Sequence, residues 1–262
     1  MRGFLAAFYT EGLKAGKSKM LFATVLFFIF IDIMMGLLIY IAKHPELPGI
    51  SALMGAKASA IGAADWPAYY VLLTEIVLMI GVIGFGMVAS WVFGREYTDR
   101  TAKDLLALPV SRTAVVVSKT MVVIIWSALL SLVLFGVGLL IGKAVNLPGW
   151  SGAGARHAFT GFIISALLTM LLTTPVAFIA SVSRGYLLPL GFVILMVIMT
   201  NLMFSGIPGL APFFPWAVPA LSSNALGHDL PRAGAASYFI LGFTSLAGLS
   251  GTVLWLRFAD QT

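Results

Sequence analysis

Six long apolar stretches constrain this sequence more than any other feature. Each is long enough for the roughly 20 residues that a helix needs to cross a bilayer core of about 30 Å. Charged residues make up only 10% of the chain, against about 25% in a soluble domain, so too few charges remain to cover a water-soluble globule. The sequence therefore predicts an all-α membrane protein, with a single transmembrane domain over 1–262. The six predicted transmembrane helices are 20–42, 69–93, 114–142, 158–182, 185–205 and 233–256.

The sequence also excludes several kinds of site. It has no cysteine, which excludes disulfides and thiolate metal ligands. A phosphate-binding loop needs the spacing G-x-x-x-x-G-K-[ST], and the nearest string, Gly12–Ser18, has one residue too few between its glycines. We therefore expect no catalytic residue, metal or cofactor on this chain. We expect no nucleic-acid partner either, because the net charge of +6 has no soluble face on which to form a binding patch.

The Lys and Arg residues predict the orientation in the membrane. Cytoplasmic loops of membrane proteins carry an excess of these cations. If the N-terminus is cytoplasmic, eleven basic residues fall on the inner side and five on the outer side, which accounts for all 16. We expect a multi-pass protein of the cell inner or plasma membrane, with both termini in the cytoplasm.

Two segments outside the spans predict additional helices. Residues 2–19 place Phe4, Leu5 and Phe8 on one face and charged residues on the others, which predicts an N-terminal amphipathic helix at the membrane interface. Residues 206–232 interleave five prolines with aromatic residues. This segment is too apolar for a free loop and too interrupted for a span, which predicts a short re-entrant helical segment before span six.

The long segment between spans two and three carries charges of both signs and lies on the predicted cytoplasmic side. From Glu96 to Leu108 its pattern is that of an amphipathic helix. Pro109 ends this helix, because proline cannot donate the next helical hydrogen bond. The segment is therefore placed where a cytosolic partner could dock.

This segment resembles that of the type-2 ATP-binding-cassette (ABC) permeases, the membrane subunits of many bacterial exporters. The stretch Glu11–Lys14 before span one is similar to the entry segment of that family, and the six-span layout agrees as well. The residues that carry the resemblance are Glu96, Thr101, Leu105, Leu106, Pro109, Val110, Ser111, Arg112 and Lys119.

The resemblance implies that the helix between spans two and three is a coupling helix. In that family it sits in a cleft of a separate cytosolic ABC ATPase and transmits the ATP-driven closure to the spans. The resemblance further implies a dimer of permeases, from a second copy or a homologous chain, bound to a dimer of ATPase subunits that hold ATP and Mg²⁺. The implied ATPase-coupling residues are Arg95, Glu96, Tyr97, Asp99, Arg100, Thr101, Asp104 and Leu105.

Five polar residues inside the spans are candidates for a cargo path. Asp32 and Glu75 are acidic, and a charge at mid-bilayer costs about 2.5–3.5 kcal/mol, so such residues normally face the protein interior or water. They either hold a cationic group of the cargo or are protonated packing residues. Ser165, Thr169 and Thr173 form a stripe along span four that either faces the path or bonds back to its own helix.

The predicted function is ATP-driven efflux of an amphipathic substrate, an antimicrobial peptide or drug, which would confer resistance to it. The alternative is a proton-coupled secondary transporter that uses Asp32 and Glu75 as its relay. Such transporters commonly show two halves with matching broken helices. No such symmetry is visible in this sequence, which favours the permease.

Overall fold

The computed structural model describes residues 2–44, 55, 63–99, 101, 110–223 and 230–258. Two short 3-10 helices, Pro208–Phe213 and Pro215–Ala217, lie between the last two long helices. The α-helices of the described residues are α1 (Arg2–Gly16), α2 (Lys19–Lys43), α3 (Trp66–Thr98), α4 (Arg112–Ala144), α5 (Gly152–Leu171), α6 (Thr173–Val182), α7 (Leu187–Gly206), α8 (Val218–Ser223) and α9 (Ala235–Phe258).

Six of these segments are long and apolar enough to cross a membrane. They are α2, α3, α4, the pair α5 and α6, α7 and α9, and they coincide with the six predicted spans. The prediction of an all-helical, six-span protein is confirmed for the described residues. Short helices also occupy 208–223, where the sequence predicted a helical segment before span six.

Helix α3 is longer than the second predicted span. It begins at Trp66 and continues to Thr98, so Glu96 belongs to the end of this helix and not to the start of a separate one. Arg95–Thr98 contains neither proline nor glycine, so nothing in these residues ends the helix. Residues 100 and 102–109, and with them most of the predicted coupling helix, lie outside the described residues.

Polar residues begin the long helices where the sequence changes from loop to span. Four of them, Ser18, Asp65, Ser111 and Ser151, accept a hydrogen bond from the backbone N–H three residues further on, at 2.9–3.2 Å. Such N-caps satisfy backbone donors that have no partner inside the helix. Asp65 and Ser111 thereby fix the starts of α3 and α4, the two longest helices.

Helix α3 lies at the centre of the bundle. It packs against α4, α5, α6 and α7, while α2 packs on α4 and α9 on α6. Small residues allow α3 and α4 to approach closely, because the side chain of Leu73 lies against Gly138 and that of Trp66 against Gly142. This agrees with the role of small residues in helix packing within membranes.

The fourth span is interrupted at Leu172, between α5 and α6. Pro175 prevents a regular helical hydrogen bond here. The hydroxyl of Thr174 lies 3.1 Å from the carbonyl oxygen of Leu171 and 2.6 Å from that of Ser245 on α9. The kink is therefore held by a side chain that also joins the fourth span to the sixth.

The close contact of α3 with α4 gives a first prediction. A Cβ at Gly138 would lie 2.6 Å from a methyl carbon of Leu73, so Gly138→Val should overpack this contact and lower the free energy of unfolding by about 1–3 kcal/mol. Gly136 is the matched control, because it lies two residues earlier on α4 with nothing within 4 Å of its Cβ position. The measurement is unfolding in detergent. Equal losses in both variants would contradict this packing.

Candidate functional site

Five charged side chains form a cluster where α1 meets α3 and α4. We refer to this end of the bundle as the α1 end. Glu11 is 3% exposed, Glu96 6% and Lys119 2%, so the cluster buries charge in a chain that has few charges. Its members are Glu11 and Lys14 on α1, Arg95 and Glu96 on α3, and Lys119 on α4.

Lys119 occupies the centre of the charged cluster. Its Nζ lies 3.1 Å from Oε2 of Glu11, 3.0 Å from Oε1 of Glu96 and 3.0 Å from the carbonyl oxygen of Val92. A lysine ammonium has three N–H donors, so each donor has an acceptor. This complete pairing offsets the cost of removing the ammonium from water.

The other two cations complete the charged cluster. Lys14 Nζ lies 2.9 Å from Oε1 of Glu11 and 3.1 Å from Oε1 of Glu96. Arg95 Nη2 lies 3.2 Å from Oε2 of Glu11, and its guanidinium carbon lies 4.4 Å from the ring centroid of Trp91. The two carboxylates therefore tie α1 to both α3 and α4.

The charges of the cluster shift the pKa of Glu11 and the pKa of Lys14. Burial opposes ionisation of Glu11, but the charges of Lys119, Lys14 and Arg95 outweigh it and hold the pKa of that carboxyl below its ordinary value. Burial likewise opposes the charged form of Lys14, but the hydrogen bond and charge of Glu11, together with Glu96, raise its pKa above the ordinary value. These two residues therefore stay ionised at neutral pH.

Two tryptophan rings next to the charged cluster connect it to α2. The rings of Trp91 on α3 and Trp126 on α4 meet edge to face with centroids 5.7 Å apart. Trp126 Nε1 donates a hydrogen bond of 3.1 Å to the hydroxyl oxygen of Thr24 on α2. The first four helices are thus joined at the α1 end.

The structure divides the predicted ATPase-coupling residues into three groups. Arg95 and Glu96 lie in the charged cluster, and Tyr97 is half-buried beside it. Asp99 and Thr101 are exposed. Arg100, Asp104 and Leu105 lie outside the described residues. A coupling role for these residues stays a prediction.

Sequence reasoning missed the pairing inside the cluster. It placed the charges of α1 toward lipid and Lys119 at the edge of its span, whereas the structure buries Glu11 and Lys119 together. Leu5 is 59% exposed, while the rings of Phe4 and Phe8 stack on each other, and the position of this helix at the membrane interface stays a prediction. The available signal was the presence of acidic residues beside spans in a chain with only ten.

Asp32 is completely buried on α2, on the side that faces α3 and α4. Phe28, one turn before it, stacks on Phe85 of α3, and Gly36, one turn after it, contacts Ile141 of α4. Neither carboxyl oxygen has a hydrogen-bond partner among the residues that the structure describes. Asp32 is therefore a buried polar group without a hydrogen bond in the packed interface of three helices, close enough to Tyr69 of α3 for its charge to act on that side chain.

By helical register, Glu75 lies on the side of α3 that borders α7, because it shares a helix face with residues that line the cavity there. It is half-buried and lies one turn from Leu78 and Met79, which line a cavity of about 70 Å³ between α3 and α7. The structure therefore places Asp32 and Glu75 against different neighbours. That the two acids serve one cargo path stays a prediction.

The hydroxyl stripe of the fourth span bonds to its own helix. Ser165 donates to the carbonyl oxygen of Gly161 at 2.9 Å, Thr169 to that of Ser165 at 2.8 Å and Thr173 to that of Met170 at 2.6 Å. Thr169 and Thr173 also line a small hollow. It shares Val82 and Trp216 with the cavity between α3 and α7. The threonine hydroxyls keep lone pairs that remain able to accept a hydrogen bond.

Comparisons with known proteins show which family the sequence matches. Residues 7–200 match the family described as ABC-2 family transporter protein. The chain is also 32% identical over 186 residues to the bacitracin transport permease protein BCRB of Bacillus licheniformis. That alignment covers 71% of this chain and 88% of the relative. All five members of the charged cluster fall within the residues matched to the family.

The central position of Lys119 gives a second prediction. Lys119→Leu removes a partner from two buried carboxylates, and breaking a buried pair in this way costs about 3–5 kcal/mol. We expect α1 to detach and chymotrypsin to cleave faster beside Tyr9. Lys17→Leu is the matched control, because it removes an exposed lysine just after α1. Unchanged cleavage in Lys119→Leu would show that the cluster does not hold α1.

Acidification gives a third prediction. Because the pKa of Glu11 is lowered, its stabilising effect is complete above the ordinary value of 4.5 and is lost as the pH falls through the folded-state value. The pKa of Lys14 is raised, so the stabilising effect of its charge is lost only above pH 10.5. A fluorophore on Thr10→Cys, in a chain without other cysteines, should report release of α1 only below pH 4.5. Release at near-neutral pH would contradict the ion pairing.

Proposed function

This chain belongs to the ABC-2 family of transporter proteins, and we propose that it is the membrane-spanning permease subunit of an ATP-driven exporter. It is a multi-pass protein of the plasma membrane. In the proposed orientation the α1 end and both termini face the cytoplasm. The excess of Lys and Arg on that side supports this orientation.

The observation that supports coupling best is the charged cluster. It joins α1, α3 and α4 immediately before the segment that resembles a coupling helix. A displacement of that segment by an ATPase subunit would move the end of α3. The ion pairs would then transmit this movement to α1 and α4. Coupling of this kind requires one element whose two states are biased from both sites.

We propose that the ATPase activity resides on separate subunits. Two cytosolic ABC ATPase subunits would bind a dimer of permeases, formed by two copies of this chain or by one copy and a homologous permease. ATP and Mg²⁺ would bind to the ATPase subunits, and this chain itself would bind no cofactor. The six helices would then form a single permease domain in each copy.

The proposed cargo is an amphipathic antimicrobial peptide or drug. The relative from Bacillus licheniformis is named for bacitracin transport, and the similarity extends over most of both chains. The apolar spans of this chain, with few polar groups between them, suit a cargo of mixed polarity. Family membership favours ATP-driven export over a proton relay, and the separate positions of Asp32 and Glu75 offer no adjacent pair for such a relay.

Purification from the native membrane tests this proposal. The tagged chain, extracted in mild detergent, should bring a cytosolic ATPase in stoichiometric amount. Proteoliposomes of this complex should export bacitracin, used as the probe, only when ATP is supplied. A chain that purifies alone and drives transport by a proton gradient would refute the proposed function.

The variant Glu96→Gln, studied in the same preparation, tests whether the charged cluster takes part in coupling. The change keeps the side chain's size but removes the charge that pairs with Lys14 and Lys119. We expect ATP hydrolysis to continue while the rate of export falls about tenfold. A tenfold change corresponds to a loss of about 1.4 kcal/mol of coupling free energy. Lys19→Gln, at an exposed position at the start of α2, is the control. Export that stays coupled in Glu96→Gln would contradict a role of the cluster in coupling.

A further inference from the structure

A cleft between α3 and α7 lies well away from the charged cluster. Leu78 and Met79 of α3, Thr200 and Asn201 of α7, and Trp216 of the short helices are among the residues that line its cavity of about 70 Å³. Helix α7 has few buried residues within its span. The cleft is therefore on the side of the bundle that is open to the bilayer or to a cargo.

Glu75 lies beside this cleft by helical register. Leu78, Met79 and Val82, which line the cavity, are one to two turns away on α3, and residues at such spacings share a helix face. Glu75 is half-buried and forms no hydrogen bond or ion pair within the part of the chain that the structure describes. An unpaired acid within a membrane span is a candidate binding group for a cation.

The neighbouring polar groups of the cleft are oriented to accept hydrogen bonds. The hydroxyl of Thr200 donates to the carbonyl oxygen of Met196 at 2.7 Å, which uses its only donor. The side-chain amide of Asn201 donates one of its two N–H groups to the carbonyl oxygen of Val197 at 2.9 Å, and its oxygen remains able to accept a hydrogen bond. With a carboxylate and two further acceptors, the cleft is complementary to a group that carries N–H donors and positive charge.

The size of the cavity limits what it can hold. A volume of about 70 Å³ corresponds to roughly two water molecules at 30 Å³ each, which is enough for one ammonium or the end of a guanidinium group. An apolar remainder would have to lie outside it. Ile194, Ile198 and Leu202 on α7 are each at least half exposed and offer such a surface. A ligand with one cationic group and an apolar body fits both features.

We propose that the α3–α7 cleft binds the cationic group of an amphipathic cargo, with Glu75 as the counter-charge and with Asn201 and Thr200 as hydrogen-bond acceptors. This proposal rests on the proposed function for the statement that the ligand is cargo. Binding itself depends only on the cleft. The proposal assigns Glu75 a specificity role that Asp32, buried against α3 and α4, does not share.

Photolabelling of the full-length chain in lipid nanodiscs, together with any ATPase that accompanies it, tests the proposal. The probe is dodecylamine that carries a diazirine, which is a cation at neutral pH, and the neutral control probe is the matching dodecanol. Label from the amine should map to α3 near Met79 and to α7 near Asn201. Glu75→Gln should weaken binding of the amine about tenfold, which corresponds to 1.4 kcal/mol.

Two comparisons make the outcome decisive. Asp32→Asn, which neutralises the other acid of the spans, should leave the affinity for the amine unchanged, and neither variant should alter binding of the alcohol. Equal affinity of wild type and Glu75→Gln for the amine would overturn the proposal, and so would labelling confined to other helices or an equal loss in Asp32→Asn. Thermal unfolding of both variants checks that they fold.

The same preparation separates this proposal from the proposed function. If the amine labels the cleft through Glu75 but ATP drives no export, the site is supported and the exporter assignment fails. If ATP-driven export is observed and Glu75→Gln changes neither amine binding nor amine-stimulated ATP hydrolysis, the exporter assignment is supported and the site is wrong.

Discussion

Pairing of buried charge at the α1 end is the interaction on which the arrangement of the first four helices depends. Lys119 lies within an apolar helix and is 2% exposed, a position that an ammonium tolerates only with a full set of acceptors. Glu11 and Glu96 supply two of them, from helices that are far apart in the sequence. Because no single helix can satisfy Lys119, its burial requires α1, α3 and α4 to meet.

Helix α3 connects this cluster to the rest of the molecule. It has 33 residues and is therefore about 50 Å long at a rise of 1.5 Å per residue. Glu96 lies in the cluster near one end, and Glu75 lies beside the α3–α7 cleft, about 30 Å along the same helix. The central helix would thus connect the proposed coupling segment with the proposed ligand site.

The polar groups inside the bundle are satisfied in two different ways. The hydroxyls of the fourth span bond to carbonyl oxygens of their own helix, and Thr174 adds a bond to α9. The two acids of the spans have no such partner among the described residues. Asp32 is enclosed by packed helices, whereas Glu75 is half-buried and shares a helix face with residues that line the α3–α7 cavity, so only Glu75 has the surroundings that the proposed ligand site needs.

The sequence by itself determined the number of spans and their approximate positions. These features depend on apolar length, a local property that each segment carries alone. It also indicated the transporter family through the residues after span two. Only the tertiary structure decided that Glu11 and Lys14 pair with Glu96 and Lys119, and that Asp32 and Glu75 face different neighbours. Those contacts depend on how helices distant in the chain rotate and pack against each other, which no local pattern specifies.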